Sequence, residues 1–132
     1  MNKDKDLTID ELFKLAVKNH QEDKLDVAQD LYNKAIEINP NFINAHYNLG
    51  IIFNFSGNHQ KALSCYEKVI EIDPNHTKAH YNLGVILYNL GNNQKAKYYY
   101  EKAIEINPCY VAAYNNLGVL YSSIGENLKA KN

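Results

Sequence analysis

The pattern of apolar and polar positions in this chain returns every 34 residues. Leu15, Leu49, Leu83 and Leu117 form one apolar register, with Ala16, Gly50, Gly84 and Gly118 directly after it. Ala28, Ala62, Ala96 and Ala130 form a second, Tyr32, Tyr66 and Tyr100 a third, and Ala35, Val69 and Ala103 a fourth. The pairs Glu37-Ile38, Glu71-Ile72 and Glu105-Ile106 each set a charged residue beside an apolar one, as an amphipathic surface helix does at its end. The pattern predicts helices over 9–22 and 25–38, 43–56 and 59–72, 77–90 and 93–106, and 111–124.

Backbone punctuation obeys the same period. Pro40, Pro74 and Pro108 are the only prolines, and the six glycines fall into two registers: 50, 84 and 118, then 57, 91 and 125. Proline cannot continue a helix and biases its predecessor toward extended backbone, so Asn39, Asp73 and Asn107 should end the second helix of each hairpin. Glycines 57, 91 and 125 stand where each first helix turns back into its second, a place that suits positive φ. Glycines 50, 84 and 118 lie inside helices, where each costs about 1 kcal/mol against alanine. Close approach of two helix backbones, with Ala62, Ala96 and Ala130 as small partners, is the expected compensation.

These registers resemble the tetratricopeptide repeat (TPR), whose 34-residue pattern runs leucine–glycine, aromatic, alanine, aromatic, alanine, proline. The resemblance covers everything from about Leu7 to Asn132. It implies an all-α fold, an α-solenoid of antiparallel helix hairpins wound as a right-handed superhelix. Residues 1–132 then form a single domain with repeats at about 9–42, 43–76 and 77–110 and an incomplete fourth at 111–132. After Gly125, only Asn127 to Asn132 remain for the fourth repeat's second helix. Such arrays usually close with a polar capping helix. The faces of Leu117, Tyr121 and Leu128 are therefore expected to lack a neighbour. A piece of a longer protein is the favoured explanation, and self-association through that end is the alternative.

The resemblance also places a ligand surface. The first helices line the concave wall of a TPR superhelix. In that register the second repeat offers Asn44, Tyr47, Asn48, Ile51 and Phe55, and the third Lys78, Tyr81, Asn82, Val85 and Asn89. The fourth offers Ala112, Asn115, Asn116 and Val119. Spacings of three and four put each set on one helical stripe. Asn48, Asn82 and Asn116 recur immediately before the leucine–glycine pair, and a primary amide carries both a donor and an acceptor. Such a row can hold the N–H and C=O groups of an extended peptide with little regard to its sequence. Repeat one has Lys14 there, so the row starts at repeat two. Tyr47 and Tyr81 either widen the contact surface or pack neighbouring helices together.

The row is similar to the asparagine ladder of O-linked N-acetylglucosamine transferases and the related SPINDLY sugar transferases, most visibly in Ala113-Tyr114-Asn115-Asn116-Leu117-Gly118-Val119-Leu120-Tyr121. That likeness implies a second reading, the substrate-recruiting arm of a larger glycosyltransferase. The carboxylate clamp of chaperone-binding TPR domains is not matched. Asn48 and Lys78 fit it, but Phe13 and Val17 stand at its repeat-one positions and Asn82 replaces its arginine.

Composition narrows the partner. The net charge of −1 provides no field for nucleic acid or anionic lipid, and all 14 cations are lysines. No apolar run is long enough to span a bilayer, the charged start resembles no secretory signal, and two cysteines make no disulfide framework. A cytoplasmic protein or peptide binder is expected, possessing no cofactor and no metal. His46 and His80 stand at positions usually filled by packing residues, and His76 with His80 lacks a third ligand. Cys65 and Cys109 have no evident histidine or carboxylate partner, and no phosphate-binding glycine loop occurs. The chain alone is not expected to be an enzyme.

Overall fold

The computed structural model describes residues 7–131, with side chains described from 7 to 125. The described residues form seven helices: α1 (Ile9–Gln21), α2 (Leu25–Ile38), α3 (Ile43–Phe55), α4 (His59–Ile72), α5 (Thr77–Asn89), α6 (Asn93–Ile106) and α7 (Val111–Lys131). The fold is an all-α helical repeat, and the first six helices match the predicted spans to within a residue. They divide into two compact units between Ile72 and Asp73. In unit one α1 packs on α2, α2 on α3, and α3 on α4; in unit two α5 packs on α6, and α7 packs on both.

Each helix end has a local cause. Asn39, Asp73 and Asn107 each accept the backbone N–H two residues on, at 3.0, 3.1 and 3.1 Å. An Asx turn thus joins the following proline in ending the second helix. Thr8 and Glu11 form a capping box on α1. Asn58 and Asn92 cap α4 and α6 by accepting the N–H of Lys61 and Lys95, both at 3.2 Å. Gly57 and Gly91 turn the first helices into the second at φ 82° and 85°. Repeat one departs twice. Asp23 takes the glycine position at φ 62°, and Lys24 takes the capping asparagine's position without a side-chain cap.

Tyrosine dominates the core. Tyr32, Tyr66 and Tyr100 are fully buried, and they explain the helix-interior glycines better than the alanines do. A Cβ added to Gly50 would lie 2.7 Å from the Tyr66 ring, and one added to Gly84 would lie 2.6 Å from the Tyr100 ring. The expected close approach is therefore of a ring to a helix, rather than of one small residue to another. Gly118 has nothing within 4 Å of the same added atom.

The fourth repeat corrects the sequence reading. Gly125 does not turn the chain; α7 continues through it to Lys131. Running straight on keeps the hydrogen-bond ladder for about 1 kcal/mol of glycine penalty. Leu117 also departs from expectation. It is 8% exposed and packs with Ala96, Tyr100 and Leu120 in the core of unit two. Leu15, in contrast, is 37% exposed, and Leu12 fills the core of repeat one at 2%.

His46 and His80 hold the interhelix loops. The Nε2 of each donates to the carbonyl of Pro40 or Pro74, six residues back, at 2.8 Å. In that tautomer the buried Nδ1 of His80 is an acceptor, and it has no hydrogen-bond partner among the described residues. His76 caps α5 through its Nδ1, which accepts the Ala79 N–H at 3.1 Å.

Two stability predictions follow from these contacts. Gly50→Ala should lower the unfolding free energy by about 1–2 kcal/mol, overpacking against Tyr66 outweighing the helix-propensity gain. Gly118→Ala, with open space around it, should raise it by up to about 1 kcal/mol. Urea unfolding of the two variants checks the pair, and equal effects would contradict the ring-over-glycine account. His76 carries a pH dependence. Burial lowers its pKa from 6.5, with Asp73 and a backbone hydrogen bond opposing the shift and His80 and Lys78 adding to it. A lowered folded-state value means the unfolded chain takes up the proton first. The cap's stabilisation is therefore full above the ordinary value of 6.5 and is lost as pH falls toward the folded-state value. Thermal unfolding should move to lower temperature on acidification through this window. His76→Asn, which keeps an acceptor but no titration, should flatten that slope; an unchanged slope would rule the cap out as its source.

Candidate functional site

Both units present a first-helix face built from the same register. In unit one α3 carries exposed Asn44, Ile51 and Phe55, with Tyr47 and Asn48 half-buried between them. In unit two α5 carries exposed Lys78 and Asn89 and half-buried Tyr81, Asn82 and Val85. Beside it, α7 carries exposed Asn115 and Val119, with Ala112 and Asn116 half-buried.

The asparagines have a role that sequence reasoning missed. The Asn48 amide nitrogen donates to the Tyr32 hydroxyl at 3.1 Å, so the amide on α3 is tied to the buried ring of α2. Asn116 does the same in unit two, donating to Tyr81 at 3.0 Å and Tyr100 at 3.4 Å. Burial raises the pKa of Tyr32 and of Tyr100, while the asparagine bond lowers each. Both hydroxyls therefore stay protonated and can accept from the amide. The signal was present in the chain: Asn48 follows Tyr32 by 16 residues and Asn116 follows Tyr100 by the same interval.

Tyr47 and Tyr81 are packed as well as displayed. Tyr47 meets Tyr66 edge-on with centroids 5.7 Å apart, and Tyr81 lies 5.9 Å from Tyr100 and 5.4 Å from Tyr110. Phe13 occupies the same register in repeat one and contacts Tyr32 and Phe42. Aromatic pairs of this geometry stiffen the wall on which the amides stand. Lys78 has an exposed side chain on the unit-two face.

Of the residues expected at an open end, Leu117 is buried and Tyr121 is 49% exposed. The Tyr121 hydroxyl donates to Glu101 at 3.2 Å, and Lys97 lies over its ring at 5.7 Å. The side chain of Leu128 lies outside the described residues. Glu71 and Glu105 form surface ion pairs with Lys68 and Lys102, contacts worth little in water. Burial pushes the Cys65 thiol up to about 11, so it carries almost no thiolate at neutral pH. Cys109 is exposed. Among the described residues no cluster of three or more metal-ligating side chains occurs, and no helix is long and apolar enough to cross a membrane.

Known proteins give a consistent frame. Family models for the tetratricopeptide repeat match residues 41–108, 99–132 and 20–54. No curated protein sequence gives a significant match. The crystal structure of MamA is similar, at 30% identity and a TM-score of 0.74 over 76% of this chain. YrrB, described as a TPR protein with an unusual peptide-binding site, is 28% identical over 85% of this chain, with a TM-score of 0.77. The chain spans 59% of that MamA chain and 58% of the YrrB chain. The first TPR of Spaghetti, bound to an HSP90 peptide, shares the fold at a TM-score of 0.81 and 23% identity, covering 86% of this chain and 90% of its own. With one model spanning residues 41–108, more than half its length, the chain belongs to the tetratricopeptide repeat family.

Proposed function

We propose that this chain is a protein-interaction module whose first-helix faces hold an extended segment of a partner polypeptide. Residues 1–132 act in this reading as one array, and the asparagines at one register, Asn48, Asn82 and Asn116, contact the partner's backbone. Asn44, Tyr47, Lys78, Tyr81, Asn89 and Asn115 surround them on the same faces. One observation carries the reading: Asn48 is already held by the hydroxyl of buried Tyr32, and Asn116 by those of half-buried Tyr81 and buried Tyr100, through N–H donation, which leaves the amide oxygen for a ligand. An amide fixed in advance loses less conformational freedom on binding than a mobile one. YrrB, described by its peptide-binding site, lends the comparison.

Display of a random peptide library against the immobilised chain tests this. Asn48→Ala combined with Asn82→Ala should abolish enrichment. The same variant should also lose about 1 kcal/mol of stability, because Asn48 no longer reaches Tyr32. Tyr32→Phe separates the two effects. It removes the hydroxyl and lowers stability similarly, but keeps the amide and should still enrich peptides. Enrichment of the same peptides by the double asparagine variant would sink the amide row.

A further inference from the structure

We propose that the C-terminal end of α3 in unit one is an anchor pocket for a partner segment in which a large apolar side chain stands next to lysine or arginine. The proposal rests on the reading of the α3 face as a ligand surface and assigns the chemistry of its anchor point. Phe55 is 77% exposed, the more exposed of the two large apolar side chains that α3 leaves open, Ile51 being the other. It flanks a pocket of about 230 Å³ whose walls are His20, Leu25, Ile51 and Ile52. On its other side a shallower depression runs along Leu25 and Val27. The first volume is below the range of small-molecule sites and suits one side chain.

Unit two shows what this place looks like when it is closed. Two repeats on, Tyr88 stands for His20 and Ser123 for Phe55. There the two hydroxyls lie 3.0 Å apart and bridge the adjacent first helices with a hydrogen bond. In unit one Phe55 has no polar group to complete that bridge, His20 turns instead to the Tyr32 hydroxyl at 3.4 Å, and Leu25, Ile51 and Ile52 line the gap beside it.

The rim supplies the charge preference. Asp23, Asp26 and Lys24 border the depressions beside Phe55, and Lys24 is paired with Glu22 at 3.2 Å. The rim is thus net negative and complements a cation flanking the buried side chain. Asp23 adds a second observation. It holds φ 62° at the register where the other repeats turn on Gly57 and Gly91. A side chain is rarely kept at such an angle, and here it sets a carboxylate on the pocket's edge.

The test is an NMR titration of the whole chain with a terminally blocked heptapeptide, one phenylalanine flanked by two lysines among glycine and serine. Amide shifts should move around His20, Leu25, Ile51 and Phe55. The same peptide with glutamates in place of lysines should bind at least about fivefold more weakly. Phe55→Ser should weaken binding about tenfold, and His20→Tyr with Phe55→Ser should abolish it by rebuilding the hydroxyl bridge of unit two. Phe55→Ser changes an exposed position and leaves the fold intact, whereas the double variant also replaces half-buried His20, which lies 3.4 Å from the Tyr32 hydroxyl, and its fold is checked by thermal unfolding. Equal binding of both peptides, or unchanged binding by both variants, overturns the pocket. Shifts confined to Asn48, Asn82 and Asn116 and indifferent to Phe55→Ser overturn it too, yet leave the amide row standing. Binding lost in Phe55→Ser but kept in the double asparagine variant supports the pocket and removes the row.

Discussion

The buried tyrosine of each second helix is the contact on which the rest of the structure depends. Its ring lies so close to the facing first helix that Gly50 and Gly84 have no room for a methyl group without displacement. Its hydroxyl, where described, reaches outward to an asparagine on the next first helix, as Tyr32 does to Asn48 and Tyr100 to Asn116. One side chain thus sets the approach of two helices within a hairpin and fixes the orientation of an amide on the next. A phenylalanine would fill the same volume without the second function, and a leucine would leave a cavity and no polar tip. The helix-interior glycine penalty is offset by the burial of a full aromatic surface.

Where a repeat lacks one member of this set, its structure changes in a corresponding way. Repeat one has Ala16 in place of glycine and Lys14 in place of asparagine, and its α1 leaves Leu15 37% exposed. It also replaces the turn glycine with Asp23 and the capping asparagine with Lys24. Repeat four has open space around Gly118, and α7 runs on through Gly125 as one helix. The hairpin is a cooperative arrangement: glycine, tyrosine and turn make sense together, and each alone is only a cost or an exposed surface.

Much of the fold was legible because proline and glycine act locally. Asn39-Pro40 ends a helix by steric exclusion wherever the rest of the chain lies, and Gly57 turns for equally local reasons. The registers of leucine, alanine and tyrosine then gave helix pairs by periodicity alone. What periodicity could not show was which residue stands against which. The glycines and alanines looked like partners because both are small, whereas the third member, Tyr66 or Tyr100, fills the space. Gly125 looked like a turn because its register mates are turns, but α7 continues through it. The candidate site was legible as a stripe of residue types, and opaque in its bonding. Sequence offered Asn48 as a ligand group without revealing that Tyr32 had already taken one of its donors.

That shared use of the amide bears on how such a surface can be selective. An asparagine tied to a core hydroxyl is held by the fold and presents a fixed acceptor, which suits a backbone common to all peptides. Discrimination must come from elsewhere on the same helix, where side chains are free to differ between repeats. The ends of the first helices are such places. In unit two, Tyr88 and Ser123 join across that position; in unit one, Phe55 stands exposed beside an apolar pocket and an acidic rim. In the proposed reading, the residues that the repeat requires would supply generic affinity, and the residues on which it is silent, His20, Asp23 and Phe55, would supply specificity.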